Sequence, residues 1–200
     1  MQALRCLRYG TTLLGALLAL SVPILAQGLK APSGEVAGVF GWESLKGVDG
    51  KTHALFGASG GVNASQKVQV FGEYTYLPLG SMSEFGITAK AKAQLVGGGI
   101  RVHFGGASSK VNPFVVASGG LARATASASS ISVSSSGGYF GAGGGATLFL
   151  GLNLGVRPEA RFERLQWSEV KISGVTVAEG EGNNIFTIRV SFFFQFGGRK

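Results

Sequence analysis

Residues 154 to 167 read LGVRPEARFERLQW. Alternation with a period of two sets Arg157, Glu159, Arg161 and Glu163 on one face and Val156, Pro158, Ala160 and Phe162 on the other. Successive side chains of a strand point to opposite sheet faces, so this is a strand pattern and no helical period fits it. The greasy row and the charged row cannot share one environment. If the charged row of a membrane-spanning strand faced lipid, each arginine would cost roughly 2–4 kcal/mol near the bilayer midplane. In a membrane barrel the charges therefore face the lumen and the apolar row faces lipid.

The same division recurs in other segments. In the last strand Ile188, Val190, Phe192, Phe194 and Phe196 share one face, and Thr187, Arg189, Ser191 and Gln195 share the other, with Phe193 alone breaking the pattern. Glu73, Gln69 and Thr75 stand opposite Val68, Val70, Tyr74 and Tyr76, and Arg101 and His103 opposite Val96, Ile100, Val102 and Phe104. A soluble barrel of the lipocalin kind is the alternative, with its apolar row inside and its charges in water. Charges that alternate in sign suit a narrow, paired interior better than a ligand cavity. Glu73, Arg101, Arg157, Glu159, Arg161, Glu163 and Arg189 are thus the candidate lumen network, either a structural plug or the lining of a pore.

Eight such segments follow one another, near residues 34 to 44, 53 to 63, 67 to 78, 91 to 104, 112 to 125, 138 to 150, 153 to 167 and 184 to 196. Many have the ten or so residues that a tilted strand needs to cross a bilayer. Their connections alternate in length, as those of outer-membrane barrels do. Long loops are expected around Lys46 to Lys51, Pro78 to Lys90, Ala126 to Gly137 and Ser168 to Asn183. Short turns are expected at Ala64 to Gln66 and Gly151 to Leu152, with an intermediate one at Gly105 to Val111. The expected fold is an all-β, eight-stranded, antiparallel up-and-down transmembrane barrel with both termini in the periplasm and four loops outside.

Aromatic side chains are enriched where a barrel wall meets lipid headgroups. Trp42, Tyr74 and Tyr76 are expected at the outer ends of their strands, and Phe104, Phe194 and Phe196 at the inner ends. The chain begins with Arg5 and Arg8, an apolar run TLLGALLAL from 12 to 20, and Ala26 as a small cleavage residue, which together read as an export signal over 1–26. The apolar run is short of the about 20 residues a helical span needs. Cys6 precedes that run and would leave with the signal, so the barrel domain, 27–200, has no cysteine for a disulfide or thiolate site. Of 18 Lys+Arg, 16 remain after Arg5 and Arg8 are removed, against 10 Asp+Glu, a net +6. That charge would suit nucleic acid or an anionic surface, and for an exported chain lipopolysaccharide and phospholipid are the economical partners, with no nucleic acid.

Across essentially the whole mature chain the residues resemble the OmpA-like and OmpX-like small barrels, the outer-membrane β-barrel domain family. The phrases that carry the resemblance are GEYTYLP (Gly72 to Pro78), VGGGIRVHF (Val96 to Phe104), NPFVVASGGLAR (Asn112 to Arg123), GGGATLFLGLNLGVRPEARFERL (Gly143 to Leu165) and the Phe-rich last strand. The resemblance implies a monomer in the bacterial outer membrane, recognised by the outer-membrane assembly machinery through its final strand. Arg189, Ser191, Phe194 and Phe196 take the places of that assembly signal. Ser191 stands where glycine is usual, and Gly197 to Lys200 extend past the last aromatic.

No catalytic, cofactor or metal site is expected. His53 and His103 have no cysteine or carboxylate at metal-ligand spacing. The His and Ser two apart that mark outer-membrane lipid A deacylases are missing at both. Gly141, Gly143 and Ala146 spell GxGxxA, but no βαβ unit surrounds them, and the glycines are expected to leave room for large lumen neighbours. The sequence points to a structural or surface-interaction protein of the envelope, with a narrow porin-like channel for ions or small solutes as the alternative.

Overall fold

The computed structural model describes residues 32–46, 52–84, 87–105, 109–128, 131–151, 153–172, 175–179 and 182–197. The expected export signal and Cys6 lie outside the described residues, as does the connection over 47–51. The described elements are all strands: β1 (Ser33–Lys46), β2 (Thr52–Asn63), β3 (Val68–Glu84), β4 (Ile87–His103), β5 (Val111–Ala128), β6 (Ile131–Phe149), β7 (Leu154–Ile172), β8 (Val175–Glu179) and β9 (Gly182–Gly197).

Every neighbouring pair is antiparallel, and the sheet closes on itself. β1 to β6 pair in sequence order, β6 pairs with β7, β7 with β9, and β9 returns to β1 from Ser33↔Gly197 to Lys46↔Asn184. Eight strands form the wall. The five-residue β8 pairs only with the far end of β7. Closure leaves no open sheet edge around the wall, which is what allows strands to cross a bilayer.

The eight expected strands are all present, but several are longer than the alternation suggested. β3 and β4 stay paired out to Glu84↔Ile87 and β5 and β6 out to Ala128↔Ile131, so the expected loops Pro78 to Lys90 and Ala126 to Gly137 are largely extended hairpins. The expected loop Ser168 to Asn183 begins as a continuation of β7 and includes β8. At 19 residues, β6 and β7 reach roughly 60 Å at about 3.3 Å per residue, so the hairpins must project well beyond a bilayer of about 30 Å. At the opposite end the β2–β3 and β6–β7 connections are short. Ser65 Oγ accepts hydrogen bonds from the backbone N–H groups of Lys67 and Val68 and closes the β2–β3 turn.

Candidate functional site

Polarity in this barrel is inverted relative to a soluble one. Trp42, Phe104, Leu121, Phe140, Phe162 and Phe192 are among the large apolar side chains exposed on the outer wall. Arg101, Arg157, Arg161, Glu159 and Glu163 are buried inside, two of the arginines with no exposed surface at all. In water that arrangement would leave a broad apolar belt uncovered while desolvating charges, whereas in lipid both faces are satisfied. The apolar row of each strand therefore faces the bilayer, as the β7 pattern requires.

The register explains how the charges fit. Glu163, Arg161 and Glu159 on β7 stand directly opposite Gly141, Gly143 and Gly145 on β6. A Cβ at Gly143 would meet the Ala160 carbonyl and the Arg161 side chain, and one at Gly141 would meet the Glu163 side chain. The GxGxG run thus creates the volume the charged row occupies.

Inside, the ion pairs form one connected network. Toward the end where β1 begins and β9 ends, Arg157 grips Glu35 with both terminal nitrogens, at 2.8 and 2.7 Å. Gln69 donates to Glu35 at 3.0 Å and accepts from Arg101 at 2.8 Å. Arg101 donates to Glu159 at 3.2 Å, and Glu159 also accepts from Arg161. Arg161 donates to both oxygens of Glu73, at 2.6 and 3.1 Å. Arg189 joins Glu73 at 3.1 Å to Glu163 at 3.4 Å. Aromatic rings flank the cations, with the Arg101 guanidinium 3.8 Å from the Phe71 centroid and that of Arg157 4.7 Å from Phe193. Phe193, the one residue that broke the β9 alternation, is an inward side chain packed edge-on against Phe149 at 5.6 Å.

All seven expected lumen residues are buried and brought together. Two further carboxylates, Glu35 and Glu43, share the lumen and were not singled out from the sequence. Their signal was weak, because β1 reads EVAGVFGWE, with uncharged Ala37, Val39 and Gly41 between the two acids on their face. Five buried carboxylates face four buried guanidiniums among the described residues, which leaves Glu43 in surplus over the guanidiniums there. His103 is a lumen residue 3.3 Å from the Thr147 hydroxyl, and His53 is a half-buried inward residue.

Toward the projecting end the inward rows change character. Thr75 gives way to Leu77 on β3, Glu163 to Leu165 on β7 and Thr187 to Ile185 on β9, and these pack with Leu55 and Leu95 into an apolar layer above the charges. The alternation read for the charged rows did not reveal this layer, because polarity inverts there: on β7 the buried Leu165 lies between the exposed Arg164 and Gln166, and on β9 the buried Ile185 follows the exposed Asn184.

On the outer wall Trp42, Tyr74 and Phe104 are exposed as expected, while Tyr76 is half-buried. Trp42 lies near the outer end of β1 and Phe104 just past the inner end of β4. The two tyrosines stand within β3 rather than at its end, because that strand continues to Glu84. Of the expected assembly-signal residues, Arg189 and Ser191 point inward and Phe194 and Phe196 point out.

Closed eight-stranded topology, a charged interior and an apolar exterior are the architecture of small outer-membrane β-barrels. No protein-family model and no curated protein matches the sequence, so the likeness rests on structure. Neisserial surface protein A superposes with a TM-score of 0.60 at 15% identity, over 82% of this chain and 96% of that one. Ail, the attachment invasion locus protein of Yersinia pestis, gives 0.55 at 14% identity, over 82% and 99%. A major outer membrane protein from Thermus thermophilus gives 0.55 at 11% identity, over 83% and 100%. At such identities the shared property is the fold.

Proposed function

We propose that this protein is a non-enzymatic, monomeric barrel of the bacterial outer membrane, directed there by residues 1–26. Its role is to hold rigid hairpins above the cell surface and to contact lipopolysaccharide at its outer rim. The observation that carries this reading is the filled interior. A continuous Arg/Glu/Gln network spans the lumen, an apolar layer packs above it, and the interior of an eight-stranded barrel is just wide enough to be filled by side chains. A rigid plug suits display better than transport. Likeness to a protein named for attachment and invasion fits such a role.

A narrow pore is the second reading, and the apolar layer favours it as a constriction that would gate by dewetting. Single-channel recording in planar bilayers separates the two. The display reading expects a silent membrane after insertion of folded protein, and steady, reproducible open-state currents would replace it with the pore.

A further inference from the structure

Among the residues whose side chains are described, all five carboxylates lie inside the barrel, and the charged groups on the outer wall are exclusively cations. Three of these cations are adjacent. Lys90 and Lys92 project outward from β4 and Arg123 from β5, all exposed. Gln94 pairs directly with Arg123, Lys92 with Thr125 and Lys90 with Ser127, so the three cations occupy neighbouring outward positions on two hydrogen-bonded strands. None has an ion-pair partner among the described residues.

Below them on the same two strands the surface turns apolar within one residue pair, because Val96, 57% exposed, is paired with Leu121, 72% exposed. Tyr74 and Tyr76 flank the boundary on β3, opposite Val96 and Gln94, and the Tyr74 hydroxyl accepts a hydrogen bond from Gln94 at 3.0 Å. Lysine and arginine are costly on the lipid face at midplane and nearly free at the interface, so this boundary marks the headgroup level of the leaflet on the projecting side.

We propose that Lys90, Lys92 and Arg123 form a binding site for a phosphorylated glycolipid of the outer leaflet, with its acyl chains against Val96 and Leu121. This rests on the outer-membrane, lipid-contacting reading above and names the partner and the residues. Same-face neighbours along a strand, or diagonally across a pair, are about 7 Å apart, so the three cations spread over more than one phosphate's width. Gln94 and Thr125 add uncharged hydrogen-bonding groups between them, suited to sugar hydroxyls. A ligand with two phosphates on a sugar backbone and chains below matches this layout better than a glycerophospholipid with one.

The test uses the folded full barrel in phosphatidylcholine vesicles, alone or doped with diphosphoryl lipid A, with dephosphorylated lipid A, or with phosphatidylglycerol. The readout is the temperature at which the folded band is lost on an unheated gel. Diphosphoryl lipid A is expected to raise that temperature and the other two additives are not. The triple variant Lys90→Gln/Lys92→Gln/Arg123→Gln should melt like the parent in plain phosphatidylcholine, yet need at least about tenfold more diphosphoryl lipid A for the same rise. Arg164→Gln removes an outward cation elsewhere on the wall and should keep the full rise. A triple variant that responds normally, an equal loss in Arg164→Gln, or an equal rise with phosphatidylglycerol would each overturn the site. Failure of the unaltered barrel to respond to any phosphorylated lipid would instead overturn the lipopolysaccharide-contact reading beneath it.

Discussion

Glu159 sits between Arg101 and Arg161 with no water-facing alternative, and Arg161 bridges Glu159 to Glu73. Truncating one member of such a set leaves its partner charged, buried and unmatched, which costs about 3–5 kcal/mol. Glu159→Ala and Arg161→Ala should therefore each lower the unfolding temperature of the folded barrel markedly, and two unchanged melting curves would refute the idea of a paired lumen. Glu43 is the opposite case, a carboxylate in surplus over the four guanidiniums. Glu43→Gln keeps shape and leaves the four guanidiniums with the other four carboxylates, so it should change stability by less than about 1 kcal/mol in urea titration, where a Glu159→Gln change lowers it. Sequence alone made the seven-member network legible, since sign alternation in VRPEARFE cannot be accommodated in lipid. It left out Glu35 because a single acid among Gly, Ala and Val sets no row, and only closure of β1 against β9 and β2 brings it under Arg157.

Strand β6 shows the cost of that network at the level of an element. Gly141, Gly143 and Gly145 weaken a strand by their freedom in the unfolded chain, and they are tolerated because their missing side chains are replaced by those of β7. Gly143→Ala should destabilise the barrel by about 1–3 kcal/mol through overpacking, measured by the same titration, even though alanine is the smallest side chain that can be added. Strand β9 closes the wall against both β1 and β7, and its outward Phe194 and Phe196 lie at the end where β1 begins. If these rings serve as an assembly signal, Phe196→Ser will reduce the outer-membrane level of the protein several-fold in cells while refolding in detergent micelles proceeds as before. Equal loss in both settings would make the ring a packing element only. The hairpin ends were the least legible elements, because strand segments beyond a bilayer meet water on both faces. Runs such as ATASA and ISVSS then need no polarity contrast, and nothing in their composition distinguishes a paired ladder from a loop.

At the scale of the whole barrel, the proposed display role would separate from stability along the axis. Ion pairs, inward aromatics and the apolar belt occupy the part that lies in the membrane, and the far part of the β5–β6 hairpin holds little but a backbone ladder between small side chains. Ladder hydrogen bonds exchanged against water contribute modestly, about 0.5–1.5 kcal/mol each before the ordering of the chain is counted. The β5–β6 hairpin offers a clean cut, since Thr125 is paired with Ser134 and a two-residue Asn-Gly turn can join two antiparallel strands at such a pair. Replacing residues 126–133 by Asn-Gly should leave a barrel that still resists detergent, still migrates differently before and after boiling, and melts within a few degrees of the parent. A variant that no longer folds would mean that the projecting half carries part of the core stability and that the apolar layer around Leu77, Leu95 and Leu165 depends on the ladder above it. With the fold retained, the hairpins are free to vary in sequence, as the proposed display role requires.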